Sequence, residues 1–296
     1  MERKFDMIVV GGGPAGYSAA LYAARAGLRV AVLEKLSAGG QMALTDSIDN
    51  YPGFDEGIDG FSLGEKMQVG AERFGAVTEL AEVYSMDLKA ELKVLETSEG
   101  TFHARTVVIA TGAGPRELGI PGEQNRAHYC AACDGMRYRG KTVAVIGGGN
   151  SAVGDALQLA RIAKKVYVIH RRDSLRAEKI HQDSLMSAEN VEMIWNSAPL
   201  EMSESGVHIQ DVQTGEKTLV ACDGIFVSIG RKPATSLVAG QLELDKAGYI
   251  VADETTKTNI PGVFVAGDVR TKPLRQVVTA VADGAMAVHF AQEYLS

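Results

Sequence analysis

Two of the chain's three cysteines stand three positions apart in the stretch Tyr129-Cys130-Ala131-Ala132-Cys133-Asp134-Gly135. Thiols at that spacing can close a small disulfide ring, and the setting commonly lowers the pKa of one thiol so that its thiolate attacks other disulfides. Reducing a disulfide consumes protons, and the carboxyl of Asp134, directly after the second cysteine, is a candidate general acid. Two rival readings are half of a zinc site and a pair of inert buried thiols. Structural zinc takes four ligands, usually from a second Cys-x-x-Cys or a spaced histidine pair. Cys222 stands alone and no histidine pair lies nearby, so no metal is expected. The nucleotide-binding patterns on either side of the cysteines favour redox exchange.

The first pattern begins with the apolar run 7–10, followed by Gly11-Gly12-Gly13-Pro14-Ala15-Gly16 and an alanine-rich helical stretch that closes at Gly27. Gly11 permits a tight turn, Gly13 lets the backbone approach a pyrophosphate, and Gly16 lets helix pack on strand. The helix start offers free N–H groups to the anion. A second β run, residues 29–33, ends at Glu34 and Lys35. Glu34 lies twenty-one positions beyond Gly13, where an acid can hydrogen-bond a ribose diol.

The pattern recurs after the cysteines. Residues 142–146 lead into Gly147-Gly148-Gly149-Asn150-Ser151-Ala152, a helix to about residue 163, and a strand over 166–169. Twenty-one positions beyond Gly149 stands His170, followed by Arg171, Arg172 and, one loop later, Arg176. A carboxylate would repel a 2′-phosphate, whereas arginines fork onto it, so this second site should prefer NADPH to NADH. The bland alternative is a solvated basic turn.

Between and after these units, Gly40-Gln41 and Asn50 lie in a glycine-rich loop region, residues 63–74 read as an amphipathic helix, and residues 75–102 as a β meander. A buried strand ends at Thr111-Gly112. Residues 189–220 read as a second meander, with Trp195 in a core, and residues 224–230 repeat the strand-to-glycine ending. Strand 262–266 ends in Gly267-Asp268, then come Arg275, Gln276 and a helix from Val277 to residue 295. Asp268 suits the polar chain of a nucleotide or, more plainly, a helix cap.

At 296 residues the chain is comfortable for two domains. A net charge of −7 offers no footprint for nucleic acid, no apolar run reaches membrane-spanning length, and no signal-peptide core precedes the first strand. A cytoplasmic protein without a disulfide framework is expected, in which a Cys-x-x-Cys is catalytic. A nicotinamide gives up a hydride, while a disulfide is opened by a thiolate or an electron-rich carbon. Flavin is the usual carrier between the two. This assigns FAD to the Glu34 site and NADPH to the arginine site, in an α/β chain with two Rossmann-like dinucleotide-binding domains.

Five motifs in order, Gly-Gly-Gly-Pro-Ala-Gly, Gly-Gly-Gln before Asn-Tyr-Pro-Gly, Cys-Ala-Ala-Cys-Asp, Gly-Gly-Gly-Asn-Ser-Ala with His-Arg-Arg-x-x-x-Arg, and Ala-Gly-Asp-Val with Arg-Gln, resemble the low-molecular-weight thioredoxin reductases over essentially the whole chain. The resemblance implies an FAD domain of residues 1–113 and 240–296 and an inserted NADPH domain of residues 114–239 that carries the cysteines. It further implies a homodimer, Cys133 facing the flavin, Cys130 attacking a thioredoxin or thioredoxin-like protein, and Asp134 as proton donor. Two positions depart from the pattern: Met136-Arg137 where thioredoxin-docking members often carry aromatics, and Gly154-Asp155 where paired glutamates are common. The nicotinamide site and the dithiol would share one domain, yet both must reach the flavin. Rotation about hinges near 112–115 and 230–240 would let them take turns, whereas a rigid pair of domains would use opposite faces of the ring.

Overall fold

The computed structural model describes residues 3–45 and 47–296; Met1 and Glu2 of the N-terminal run lie outside them. It divides the chain into two compact units, Met1–Gly114 with Lys232–Ser296, and Pro115–Arg231.

The first unit opens with strand β1 (Lys4–Val10), helix α1 (Pro14–Arg25) and strand β2 (Val30–Glu34), followed by helix α2 (Gly60–Glu72), which is capped by the Asp59 side chain accepting from Ser62 N–H at 2.9 Å. Strands β3 (Val77–Leu80), β4 (Val83–Asp87), β5 (Lys93–Thr97) and β6 (Gly100–Ile109) complete this segment. β1 pairs in parallel with β2 and β6, and residues 7–10 are buried on both faces, as parallel strands covered on each side must be. Within the expected meander, β3 pairs in parallel with β2, and only β4, β5 and β6 run antiparallel. A short linking strand β7 (Ala113–Pro115) leads out of the unit.

The second unit carries the one-turn helix α3 (Glu123–Arg126), strand β8 (Ala127–His128), the one-turn helix α4 (Ala131–Asp134), strand β9 (Thr142–Ile146), helix α5 (Asn150–Ala160) and strand β10 (Lys165–Ile169). Helix α6 (Lys179–Met186) and strand β11 (Val191–Ile194) follow, then the antiparallel β12 (Ser197–Ser203), β13 (Gly206–Asp211) and β14 (Lys217–Ala221), and strand β15 (Gly224–Val227). The parallel sheet has the order β11-β10-β9-β15-β8. Strand β11 belongs to it, so the second meander is β12 to β14 alone. The repeated strand-loop-helix-strand of the two units makes each Rossmann-like.

The linking strand β16 (Arg231–Pro233) pairs with β7, and the chain returns to the first unit. Its second boundary lies at 231/232 rather than at the expected 239/240. The reason is packing: Val238 and Leu242 are buried in the same apolar cluster as Leu88, Leu95 and Phe102, and the Gln241 side chain accepts from Leu88 N–H (2.9 Å) and donates to Met86 C=O (2.7 Å). Strand β17 (Val263–Val265) then pairs in parallel with the second half of β6, and helix α7 (Val277–Leu295) crosses α1. That crossing is close: a Cβ on Gly284 would lie 2.2 Å from the Ala15 carbonyl oxygen. Helix α1 also presses on its own loop, where a Cβ on Gly16 would lie 1.9 Å from the Gly11 carbonyl oxygen.

Candidate active site and nucleotide-binding loops

Cys130 and Cys133 are joined in a disulfide at the start of α4, with the Cys130 Sγ accepting from Cys133 N–H at 3.2 Å and the Cys130 carbonyl accepting from Asp134 N–H at 3.1 Å. Both cysteines are half-buried, and Met136, just beyond, is exposed. Asp134 is nearly enclosed. Its Oδ2 lies 3.1 Å from His128 Nδ1, its Oδ1 4.0 Å from the Arg137 guanidinium, and His128 Nε2 is 2.7 Å from the Tyr138 hydroxyl. Tyr129 is tied down by donating to Glu123 Oε1 at 3.0 Å; the other carboxylate oxygen of Glu123 accepts from Gly119 N–H at 2.7 Å. Cys222, the third cysteine, has its thiol pushed up by burial to about 11, which keeps it protonated and unreactive. Among the described residues no cluster of three or more His, Cys, Asp or Glu could hold a metal ion.

In the same unit, Gly147 has φ +153°, and a Cβ there would meet the Ser228 carbonyl at 2.4 Å, so the turn admits only glycine. Around Gly149 the space is open, with nothing within 4 Å of a Cβ, and α5 begins there without a side-chain cap. Its first N–H groups are available to an anion. Asn150, the first helical residue, holds the following loop by accepting from Glu178 N–H at 2.8 Å, and Ala152 packs under Gly147. Ser151 is exposed beside it. His170 does not face solvent. Its ring is buried under Gly148, where a Cβ would come within 2.3 Å of it, and it meets Trp195 edge-on at 6.4 Å. Burial, with a smaller effect from the flanking arginines, pulls its pKa down and keeps it neutral. Arg171, Arg172 and Arg176 are exposed on the loop, which is anchored by Arg176 N–H donating to the Gly148 carbonyl at 2.7 Å. At the departure Gly154-Asp155, the aspartate accepts a 2.5 Å bond from the Ser228 hydroxyl, and burial raises its pKa.

The first unit repeats the design with a carboxylate. Gly11 has φ +108° and would clash with the Ala110 carbonyl if it carried a side chain. Gly13 is open to 4 Å, and α1 starts with Pro14 and no side-chain cap. Glu34 occupies the place that His170 takes in the other unit: its side chain lies against Gly12, its Oε2 accepting from Gly12 N–H at 2.7 Å and its Oε1 from Leu36 N–H at 3.0 Å. Lys35 instead points to Glu82, 4.0 Å away at the surface. Gly40, which leads into Gln41, abuts Gly13, and a Cβ on it would lie 3.4 Å from the Gly13 Cα. Asn50 donates to Gln276 Oε1 at 3.0 Å, and Gln276 caps α7 ahead of Val277 in a reciprocal box with Thr279. Gly267 sits against Ala15, with Asp268 next to it, and Arg275 holds that turn by donating to the Asp268 carbonyl at 3.2 Å. Thr111 donates to the Ala234 carbonyl at 2.7 Å, and Gly112 (φ +72°) accepts from Ala234 N–H at 3.0 Å.

Sequence reasoning missed the support of this loop. Asp283, inside α7, is 6% exposed and accepts from Gly267 N–H (2.9 Å), from Arg270 Nε and a second guanidinium nitrogen (3.0 Å each) and from Lys272 Nζ (2.7 Å). An acid amid the alanines and valines of the first half of the helical run was the available signal.

Two glycine loops, one closed by a carboxylate and one followed by three arginines, in a chain that also holds a half-buried Cys-x-x-Cys disulfide, agree with the family model that matches residues 5–284, the pyridine nucleotide-disulphide oxidoreductases. The chain belongs to that family. The oxidoreductase is 43% identical over 303 residues to a thioredoxin reductase of Treponema pallidum (strain Nichols), covering 100% of this chain and 98% of the relative. Among solved structures it resembles a thioredoxin reductase of Streptococcus pyogenes MGAS5005, 42% identical, with a TM-score of 0.93 over 100% of this chain and 99% of the other. It also resembles the thioredoxin reductase of Lactococcus lactis in a structure titled FR conformation, 40% identical, with a TM-score of 0.70 over 98% and 99%.

Proposed function

We propose that the oxidoreductase is an NADPH- and FAD-dependent disulfide reductase that passes electrons to its Cys130–Cys133 disulfide and on to thioredoxin or a thioredoxin-like protein. The observation that carries this is the disulfide itself, closed at the head of α4 in the same unit as the arginine-bearing glycine loop. When bound, the flavin supplies the relay between a two-electron nicotinamide and the disulfide.

FAD belongs to the first unit. The open side of Gly13 and the uncapped start of α1 fit its pyrophosphate. Glu34 uses two of its roughly four lone-pair sites on Gly12 and Leu36, which orients the carboxylate and leaves sites for ribose hydroxyls. The turn at Gly267-Asp268, which lies against Ala15, and the Arg275-Gln276 start of α7 would contribute further contacts to the flavin. NADPH belongs to the second unit, with pyrophosphate at Gly149 and the exposed Arg171, Arg172 and Arg176 on the 2′-phosphate. His170, buried and neutral, shapes the loop beneath Gly148 rather than reading charge.

Within the dithiol, Cys130 attacks the partner and Asp134 donates the proton. The two units rotate about β7 and β16 between two working arrangements. Two relatives of nearly equal identity and coverage that superpose on one chain with TM-scores of 0.93 and 0.70 must differ from each other in overall arrangement, which supports such mobility in the family. The protein works as a homodimer in the cytoplasm; among the described residues no helix is long and apolar enough to cross a membrane.

The test follows NADPH oxidation against a panel of oxidised disulfide proteins, together with stopped-flow measurement of both half-reactions in Cys130→Ser. The variant should still reduce flavin with NADPH yet reduce no protein disulfide. Parental reduction of a protein disulfide by the variant would overturn the cysteine assignment. Oxygen uptake with a small dithiol, and no NADPH use with any protein, would overturn the reductase reading.

A further inference from the structure

Asp134 does not act alone. His128 lies two residues before Cys130 at the end of β8, where its pairing with Phe226 of β15 holds the ring 5.2 Å from the Phe226 ring and edge-on to Tyr138 at 5.3 Å. Tyr138 is itself fixed, because the bare face of Gly224 receives its ring so closely that a Cβ there would lie 2.4 Å away. The result is a fixed chain: the Asp134 carboxylate, 3.1 Å to His128 Nδ1, and His128 Nε2, 2.7 Å to the Tyr138 hydroxyl.

We propose that His128 is a positioning residue for the reductase chemistry, holding Asp134 beside the dithiol and reloading it with a proton between turnovers. The proposal rests on the disulfide-reductase reading. The contacts suit the role in both protonation states. Neutral His128 donates from Nδ1 to the carboxylate and accepts from the Tyr138 hydroxyl at Nε2; the imidazolium donates from both nitrogens, the phenol oxygen turning acceptor. Tyr138 keeps its own proton, since burial, then the charge of Asp134, raises its pKa. The remaining charged and titratable groups facing this chain are Arg137 beside Asp134, and Lys141, Cys222 and Asp223 around Tyr138.

In the reaction, the Cys130 thiolate forms a bond to one sulfur of the partner disulfide, and the partner's S–S bond breaks. The second partner sulfur leaves with that electron pair and takes a proton from Asp134. Cys133 then attacks Cys130, closing the enzyme disulfide, and its proton goes to the released first partner sulfur. One proton per turnover therefore has to return to Asp134 from solvent, and His128 is its entry point.

Steady-state reduction of oxidised thioredoxin by the holoenzyme from pH 6 to 8 tests this with His128→Asn, which can still hydrogen-bond Asp134 but has no second ring nitrogen to pass a proton on, and with Tyr138→Phe, which keeps the ring packing. In His128→Asn, kcat should fall about threefold at pH 6 and about tenfold or more at pH 8, with KM and flavin reduction by NADPH near parental. Tyr138→Phe should show a smaller loss with the same pH trend. A loss equal at every pH, or no loss, in whichever variant folds would overturn the role of His128. The parent reading fails separately: it would be Cys130→Ser that kept full turnover, or NADPH that left the flavin oxidised.

Discussion

Replacing Asp283 with alanine removes the carboxylate that binds Gly267 N–H, Arg270 and Lys272 at 2.7–3.0 Å. The Arg270 and Lys272 side chains are only 3% and 4% exposed, so both cations are left without their buried counter-ion. Breaking a buried network by removing one partner costs about 3–5 kcal/mol, a large part of the ~5–15 kcal/mol that holds a typical domain. The Gly267 turn also loses its anchor, so FAD should be released more readily, which flavin fluorescence after dilution reads directly. Urea unfolding measures the stability. The pH dependence has a definite sign. Burial raises the Asp283 pKa, but the bonds from Arg270 and Lys272 outweigh it and leave the carboxyl below its usual range. A depressed carboxyl stabilises the fold above the unfolded value of ~3.9 and loses that contribution as the pH falls through the folded value. The stability gap between the parent and Asp283→Asn should therefore narrow in acid below about pH 4. An Asp283→Ala protein within about 1 kcal/mol of the parent, with FAD held as tightly, would refute the reasoning.

Two further outcomes follow from the loops and the linking strands. Arg171→Ala and Arg172→Ala each remove a charge-assisted bond of ~1.5–3 kcal/mol, so the kcat/KM preference for NADPH over NADH should drop by about ten- to a hundredfold for each. An unchanged ratio would show that these arginines do not read the phosphate. A covalent crosslink between the two units should stop turnover with thioredoxin while leaving FAD bound; a crosslinked enzyme with parental turnover would exclude rotation.

What was legible in the sequence was whatever a short repeat encodes. The glycine loops at Gly11 and Gly147 and the count of twenty-one to Glu34 and His170 marked two side chains that lie against equivalent glycines in the two units. The count placed His170 but not its direction. That depends on the bare face of Gly148 and on Trp195, neither of which a spacing reveals. Strands β3 and β11 read as parts of meanders because alternation carries no information about which neighbour a strand will choose. The boundary at 231/232 was hidden for the same reason, since Gln241 reaches the backbone of residues 86 and 88 from more than 150 positions away. His128 was within view of the cysteines but had no motif, and only the pairing of β8 with β15 brings it to Asp134.

The return of the chain to its first unit has a consequence for biosynthesis. The second unit is one continuous stretch, Pro115–Arg231, and all of its strands have left the ribosome before the first unit is whole. Until residues 232–296 emerge, the second half of β6 lacks β17, and α1 lacks the helix whose Gly284 meets Ala15. The nascent protein thus passes through a stage in which its arginine-bearing loop and its cysteines have been synthesised while the turn at Gly267 has not. A flavin site that draws on both ends of the first unit is complete only once the last 65 residues have been made, so flavin capture is expected to come late in synthesis.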